Sequence, residues 1–472
     1  MELRAPRLAI VHPYWSFWEH TAGRDFRGRR LDLARRLGRE LQDLAEVVAV
    51  GDLASVEDAQ ALANDLRVRA PDAILILQTM AVPPAFVLAL LDELDRMPLV
   101  VWAMHEHGLV DGSFDHGGIT TQGATVGAPM LANVLIRRGR PFDLVLGRSG
   151  DPECLERVRG ALRSALVAGQ LGRARVGRVG QPLEGYLHVD VEAEALRLAT
   201  GIQLVPIEAA EVLERYRAVP DSHVRDLESE LAGWDLAPEV TGGESLIRSL
   251  RAAAALESLV ADHRLDAGAL NCHVPEIRFG DEIGVTPCYG LGRLTSAGVP
   301  WTCTGDVLTA VAMLTTKRLG GAALYHEIEA VDYATGEVVL ANSGEHDTAW
   351  LAPGERPRLR RNGWFCAVDP RCGVCAVFEP AAGPATLVGF TPHPADEGGF
   401  RYVVARGELT GRRFPETGTV NGACRFREGT VEEAWTRWAE AGVNHHSSAT
   451  PGDLAPDVAG VARHLGIGAV IV

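Results

Sequence analysis

Near-continuous apolar runs alternate with helix-like segments through the first part of the chain. Strands that are apolar at every position must be buried on both faces, as in a parallel sheet that helices cover on each side. Helical patterns such as Leu31–Asp43 and Val56–Arg69 lie between the runs. The runs themselves are Arg7–Pro13, Glu46–Gly51, Ala73–Gln78, Pro98–Met104 and Phe142–Gly147. The sequence therefore predicts a doubly covered parallel sheet here.

A second α/β unit is predicted to follow, and then a change of architecture. The second unit begins with a strand at Val176–Gly180 and closes with a strand that leads into a helix near Thr304–Asp306. After Gly320, alternating strands separated by Gly, Pro and Asp turns indicate antiparallel sheet, and "CAVFEP" is one of them. The fold class is α/β, with two Rossmann-like α/β sandwich domains, 1–168 and 169–322, before a mostly antiparallel β-domain, 323–472.

Composition and signature motifs exclude several classes of function. With 62 acidic and 46 basic residues, the net charge of −16 would repel a nucleic-acid backbone. The most apolar stretch, Ala73–Leu91, is interrupted by Gln78 and two prolines, so it does not predict a membrane span. The first apolar run is too short for a signal peptide, and the eight cysteines lack a disulfide-framework spacing. We expect a cytoplasmic protein with reduced thiols, and no dinucleotide or Walker motif is present.

Polar and aromatic residues cluster where predicted parallel strands end, which is where open α/β sheets bind ligands. The clusters occupy His12–His20, His105–His107 and the loop Asp115–Gln122. Four rings in the first cluster belong to Tyr14, Trp15, Phe17 and Trp18. Because four rings in five positions cannot all enter one core face, we expect some to line a pocket, for example against a sugar, or an interface.

The predicted β-domain contains carboxylates and histidines of the kind that bind metals. Glu327 and Glu329 are two residues apart, so on a strand they point to the same side. The strand face could simply be solvated, or these carboxylates could join His445 and His446 in a site for Mn²⁺ or a similar cation. A further histidine, His346, follows the strand.

The chain resembles the L-fucose/L-arabinose isomerase family on several segments. These are "ARVGRVGQPLEGY", "GLGRLTSAGVPWTCTGDVLTAVAML", "NSG" and "NHH". The resemblance implies two Rossmann-like domains, a C-terminal β-domain and a homo-oligomer, trimeric or hexameric. It also implies a metal-dependent aldose–ketose isomerase, in which a divalent ion, usually Mn²⁺, polarises the sugar oxygens while two carboxylates move a proton between C1 and C2.

The same resemblance implies a set of site residues. The metal would be held by Glu327 with His446 or His445. The catalytic carboxylates would be Glu327, Asp306 and Glu329. Gln122 and Thr125 match substrate-contacting positions of the arabinose branch, and the aromatic cluster and the "NSG" segment add Trp15, Trp18 and Asn342 as candidates for sugar contact.

Two positions depart from the family pattern. Thr304 stands where the family has a catalytic Glu, and Thr125 stands where the arabinose branch has His. A hydroxyl cannot serve as a carboxylate base at neutral pH. Two alternatives follow. In the first, which the sequence favours, the remaining carboxylates carry out related enediolate chemistry on a sugar or polyol. In the second, the chain is a non-catalytic sugar-binding or regulatory descendant of the family.

Overall fold

The computed structural model describes residues 4–23, 25–94, 96–106, 108–342, 344–363, 372–415 and 420–472. The chain forms two compact units. The N-terminal unit comprises Arg4–Gly172 and Gly460–Gly466, and the C-terminal unit comprises Arg173–Ala459 and Ile467–Val472. A division of the chain at 322/323 stays a prediction.

A five-stranded parallel sheet forms the centre of the N-terminal unit, with the order β2-β1-β3-β4-β5. Its strands are β1 (Arg7–Pro13), β2 (Glu46–Leu53), β3 (Ala73–Gln78), β4 (Leu99–His105) and β5 (Asp143–Arg148). Its helices are α1 (Glu19–Ala22), α2 (Phe26–Glu40), α3 (Val56–Arg69), α4 (Pro84–Asp92), α5 (His116–Thr121), α6 (Ala124–Arg137) and α7 (Pro152–Leu171). The predicted parallel sheet is confirmed.

Helices cover both faces of this sheet, as the apolar runs require. Leu8 and Ile10 pack with residues of α2 and α7, whereas Ala9 and Val11 pack with residues of α3, α4 and α6. The predicted helix Leu31–Asp43 in fact begins at Phe26, because Phe26 and Arg30 extend its buried face by more than one turn.

The C-terminal unit contains a four-stranded parallel sheet of order β10-β9-β6-β7. Its strands are β6 (Arg175–Val179), β7 (Gln203–Ile207), β9 (Ala267–Leu270) and β10 (Trp301–Thr302). The helices of this unit are α8 (Ala193–Thr200), α9 (Ala209–Ala218), α10 (Asp221–Glu230), α11 (Glu244–His263), α12 (Cys288–Ser296), α13 (Val307–Gly320) and α14 (Val431–Glu440), and α15 (Ala455–Leu465) contributes to both units.

A mostly antiparallel sheet follows in the same unit, in the order β15-β18-β11-β12-β17-β16-β19. Its strands are β11 (Leu324–Asp332), β12 (Glu337–Ala341), β15 (Gly383–Pro392), β16 (Phe400–Leu409), β17 (Val420–Phe426), β18 (His446–Pro451) and β19 (Gly468–Ile471). Because β15 also pairs with β16, six of these strands close into a barrel, and the parallel strand β19 is added outside it.

The run "CAVFEP" lies outside this barrel. Its strand β14 (Val374–Val377) pairs with β13 (Arg358–Arg361), which in turn pairs with β8 (Asp235–Leu236) in a separate three-stranded sheet. A strand from the predicted second domain thus completes a sheet with two strands from the predicted third.

Helix α13 packs against both the parallel sheet and the barrel. It is buried on all sides, so each of its polar groups needs a partner. Thr316 shares a hydrogen bond of 2.6 Å with Ser448. Lys317, the only lysine in the sequence, donates to Asp347 at 2.8 Å. The helix therefore fixes its N-terminal end, where the candidate site begins.

Two expectations about cellular context can be compared with the structure. Within the described residues, no helix has the length and apolar character needed to cross a membrane. Six described cysteines are reduced and buried, namely Cys154, Cys272, Cys288, Cys303, Cys375 and Cys424. Cys372 is disulfide-bonded, so the expectation of reduced thiols is wrong at that position.

Candidate metal centre

Three segments of the C-terminal unit bring the predicted acidic and histidine residues together. Strand β10 ends at Thr302 and α13 begins at Val307, so Asp306 lies in the tight turn between them. Strands β11 and β18 are antiparallel neighbours in which Glu327 is directly opposite His446. The loop before β18 adds His445.

Asp306 holds the imidazole of His446 in one orientation. As the N-cap of α13, Asp306 accepts hydrogen bonds from the backbone NH and the hydroxyl of Thr309, at 2.9 and 2.7 Å. Its Oδ2 is 2.8 Å from His446 Nδ1. With Nδ1 donating to this carboxylate, Nε2 of His446 is left to bind a cation, and it lies 3.2 Å from Glu327 Oε1. Carboxylates hold metal-binding histidines in this way in many proteins.

Asn444 also helps to hold Asp306 and His446 together. Its side-chain NH₂ donates to Asp306 Oδ2 at 3.3 Å, and its side-chain oxygen accepts from the backbone NH of His446. The ring of Tyr325 packs on His446 with centroids 4.7 Å apart. The Asn-His-His segment is therefore shaped by contacts on both sides of His446.

The two glutamates of β11 form a coupled pair at a β-bulge. In the pairing with β12, Ile328 is opposite Leu340 and Ala330 is opposite Val339, which leaves Glu329 as the extra residue. Bulges commonly redirect a side chain beside an active site. The Glu329 carboxyl hydrogen-bonds to that of Glu327, and partial burial together with this neighbour raises the pKa of Glu329 to about 7.

Opposite charges set the protonation of the other groups when no metal is bound. Burial alone would raise the pKa of Glu327, but the hydrogen bond from His446 lowers it overall. Burial alone would lower the pKa of His446, but Asp306 and Glu327 raise it to about 9. Partial burial and the charge of His446 lower the pKa of His445 to about 4. His446 is thus the cation that the carboxylates hold in the metal-free protein.

The side chains present suit a divalent cation. Donor atoms of Glu327, His445 and His446 all lie within 4.8 Å of one another, and they form the only such group among the described residues. Carboxylate and imidazole together are suitable ligands for Mn²⁺ and related ions. The Nε2 atom of His446 already faces Glu327, and it would release its proton when a cation binds.

Thr304 occupies a strained backbone position beside this centre. Its φ is 56°, in the left-handed region, where a β-branched residue is rare. The next residue, Gly305, has a φ of 78°, and a Cβ there would lie 2.9 Å from Pro182 Cα. The Thr304 hydroxyl donates to the Cys303 carbonyl at 2.8 Å, and the residue is 8% exposed. Such strain is concentrated at functional sites.

We expect Thr304→Gly to raise the free energy of unfolding of the metal-free protein by about 1 kcal/mol, because glycine adopts left-handed angles without steric cost. Chemical denaturation measures the change. The same substitution two residues earlier, Thr302→Gly, should be destabilising, because Thr302 is a buried strand residue whose hydroxyl donates to the Asp306 carbonyl. If Thr304→Gly were as unstable as Thr302→Gly, the backbone at Thr304 would not be strained.

The predicted sugar-binding residues lie in different places. Asn342 is buried next to Ala341, the residue paired with Glu327. Trp15, Trp18, Gln122 and Thr125 belong to the N-terminal unit. Gln122 is the C-cap residue of α5 and is half-buried, whereas Thr125 is exposed in the first turn of α6.

The four rings of the first aromatic cluster divide between core and surface. Tyr14 is fully buried, whereas Phe17 is 53% exposed. Trp15 stacks on Phe17 with centroids 4.6 Å apart, and Trp18 Nε1 donates to the Ala81 carbonyl at 2.8 Å. The expectation that the rings cannot all enter one core face is confirmed.

Some remaining histidines fall outside the centre. His107, and Ser343 of the "NSG" segment, lie outside the described residues. His346 packs against Phe378 and lines a separate cavity of about 440 Å³ with Trp234 and Tyr289. His346 does not belong to the group of metal-binding candidates among the described residues.

Sequence reasoning missed His188. Its Nε2 lies 3.0 Å from His445 Nδ1, and its ring is 4.7 Å from that of His445. His188 belongs to the loop that follows β6, at the carboxyl end of a parallel strand. The rule that ligands bind beyond such ends could have identified it.

Comparison with known proteins supports the resemblance. No family model matches the sequence. The chain is 23% identical over 375 residues to sulfoquinovose isomerases of Priestia aryabhattai and Priestia megaterium, covering 77% of this chain and 78% of each relative. It is 27% identical over 360 residues to an L-arabinose isomerase of Acidothermus cellulolyticus, covering 72% of this chain and 68% of that protein.

These relatives are all isomerases, which favours an enzyme over a non-catalytic descendant. The fold agrees with the same descent, since parallel sheets precede a mostly antiparallel one. The chain is therefore an isomerase, and it is similar to enzymes of the L-fucose/L-arabinose isomerase family.

Proposed function

We propose that this isomerase is a metal-dependent aldose–ketose isomerase that acts on a sugar, with Glu327 and His446 as its principal metal ligands. The observation that carries the proposal is the cross-strand pair of Glu327 and His446, in which Asp306 leaves His446 Nε2 available. The relatives named after sulfoquinovose and L-arabinose support a sugar substrate.

Each residue of the centre has a distinct role in this proposal. A divalent cation, most suitably Mn²⁺, would polarise the carbonyl and hydroxyl oxygens of an open-chain sugar. Glu327 and His446 would hold it, with His445 as a further ligand. Asp306 is fully buried and both of its oxygens already accept hydrogen bonds, so it positions His446 rather than transferring the proton.

Glu329 is the residue best suited to move a proton. Its carboxyl is partly exposed, and in the metal-free protein its pKa is about 7, so it exchanges a proton near neutral pH there. Glu327 beside it is held charged by His446 in the metal-free protein, and a bound cation would hold it charged in the same way. In the proposed reaction, Glu329 accepts the proton from C2, beside the C1 carbonyl, and returns it to C1, while the proton of the C2 hydroxyl passes to O1 so that C2 becomes the carbonyl carbon.

The remaining expectations stay predictions. Sugar contacts by Trp15, Trp18, Gln122, Thr125 and Asn342 are part of the proposal, as is a trimeric or hexameric homo-oligomer. The exposed ring of Phe17 supports the interface alternative for the first aromatic cluster. A cytoplasmic location also stays a prediction.

Mn²⁺ should stabilise the protein against unfolding. At a hundredfold excess over Kd, a ligand that binds only the native state adds about 2.7 kcal/mol to the free energy of unfolding. We expect this gain in the wild type and in Glu432→Gln, a matched change on the exposed face of α14. Glu327→Gln should abolish it.

Thermal unfolding with and without Mn²⁺, together with metal analysis of the purified protein, measures the effect. If the wild type shows no response to Mn²⁺, Mg²⁺, Co²⁺ or Zn²⁺, the proposed metal dependence is wrong. An equal response in Glu327→Gln would place the metal elsewhere.

A further inference from the structure

We propose that His188 is a positioning residue of the metal centre: it fixes the imidazole of His445 so that Nε2 of His445 is the nitrogen presented to the cation. This inference rests on the proposed function. The bond that carries it joins His188 Nε2 and His445 Nδ1, which are 3.0 Å apart. In the proposed tautomer, Nδ1–H of His445 donates to Nε2 of His188, so the unprotonated Nε2 of His445 remains for a metal.

The two adjacent histidines are thereby held in the same way. Asp306 occupies Nδ1 of His446 at 2.8 Å, and His188 occupies Nδ1 of His445 at 3.0 Å. The two rings of the pair lie 3.6 Å apart, centroid to centroid. A partner on Nδ1 fixes both the ring orientation and the tautomer of a metal-binding histidine. The structure supplies such a partner to each member of the pair.

The loop that carries His188 is anchored to the centre itself. The backbone NH of Leu183 donates to the Thr304 carbonyl at 3.1 Å, and Pro182 packs directly on Gly305. The side chain of Asn271 donates to the Gln181 carbonyl at 2.9 Å. The turn that presents Asp306 to His446 therefore also supports the loop that presents His188 to His445.

Tyr186 completes the support from the same loop. Its ring lies 5.1 Å from that of His188 and 5.7 Å from that of His445. These contacts depend on the ring rather than on the hydroxyl, so Tyr186→Phe should preserve them. His188 and His445 are both exposed at their outer edges, and an exposed hydrogen bond contributes little to folding stability. We expect the bond to affect metal affinity rather than the fold.

A competition titration with a chromogenic chelator gives the Kd for Mn²⁺ directly, independently of activity. We expect His188→Ala to weaken Mn²⁺ binding by about 10- to 100-fold, the usual effect of removing a group that orients a metal ligand. His188→Gln should recover most of the affinity, because the side-chain carbonyl oxygen of glutamine can accept the hydrogen bond from Nδ1–H of His445. His223→Ala, a matched change at an exposed position of α10, should bind Mn²⁺ as the wild type does.

The titration separates this inference from the proposed function. If the wild type does not bind Mn²⁺, or if Glu327→Gln binds it equally well, the proposed function fails. If Glu327→Gln loses Mn²⁺ while His188→Ala binds as tightly as the wild type, only the role of His188 is overturned. The role is also overturned if His188→Ala lowers the melting temperature of the metal-free protein and His188→Gln restores neither that temperature nor the affinity for Mn²⁺.

Discussion

His446→Ala is expected to lose Mn²⁺ binding and, even without metal, to lower the free energy of unfolding by about 3–5 kcal/mol at neutral pH. The reason is that Asp306 is 0% exposed and would keep a buried carboxylate without its cationic partner. Chemical denaturation of the metal-free proteins measures the loss. His223→Ala, in contrast, removes an exposed histidine from α10 and should leave stability unchanged.

The loss should depend on pH in a defined direction. The pKa of His446 is raised in the folded protein from 6.5 to about 9, so the protonated ring stabilises the native state fully below pH 6.5. That contribution decreases as the pH rises from 6.5 to about 9. The stability difference between wild type and His446→Ala should therefore narrow over this interval. A constant difference would show that the ion pair with Asp306 is not its source.

Thr304→Glu is expected to have the largest effect on activity. It restores a carboxylate beside Asp306 at the position where the family pattern has Glu. A well-placed acid or base contributes 10²- to 10⁴-fold to a proton transfer. We expect tighter Mn²⁺ binding, and isomerisation of L-fucose, D-arabinose or L-arabinose faster by a factor in this range. Thr304→Gln has a similar size without the charge and should give neither gain.

Rates with the wild type decide whether position 304 matters. Turnover of one of these sugars at about 1 to 10³ s⁻¹, a range normal for enzymes, would mean that Thr304 does not occupy a required catalytic position. In that case Thr304→Ala should be tolerated, whereas Glu329→Gln should be inactive because Glu329 carries the proton in the proposed reaction.

The first parallel sheet could be predicted because the residues of each strand are enough to indicate that the strand is buried on both faces. Strands such as Ala73–Gln78 are apolar at every position, and only burial on both faces explains such a run. Closure of the barrel was not predictable, since it depends on β15 pairing with both β16 and β18, which are distant in sequence. The assignment of "CAVFEP" to a separate sheet depends in the same way on its long-range partner, β13.

The candidate site could also be predicted only in part, because some of its contacts depend on long-range pairing. Glu327 and His446 could be named from the family resemblance, but their direct opposition requires the register between β11 and β18. The bulge at Glu329 comes from a one-residue offset with β12, which no local pattern encodes. His188 lies 257 residues before His445, so only the folded chain brings the two rings together.

Anomalous diffraction from crystals soaked in Mn²⁺, recorded at the manganese absorption edge, would locate the proposed cation. We expect one strong peak in the C-terminal unit at coordination distance from a Glu327 carboxylate oxygen and from His446 Nε2, and the peak should be absent in Glu327→Gln. A fully occupied manganese site away from both residues, or no peak in wild-type crystals at saturating Mn²⁺, would contradict this expectation.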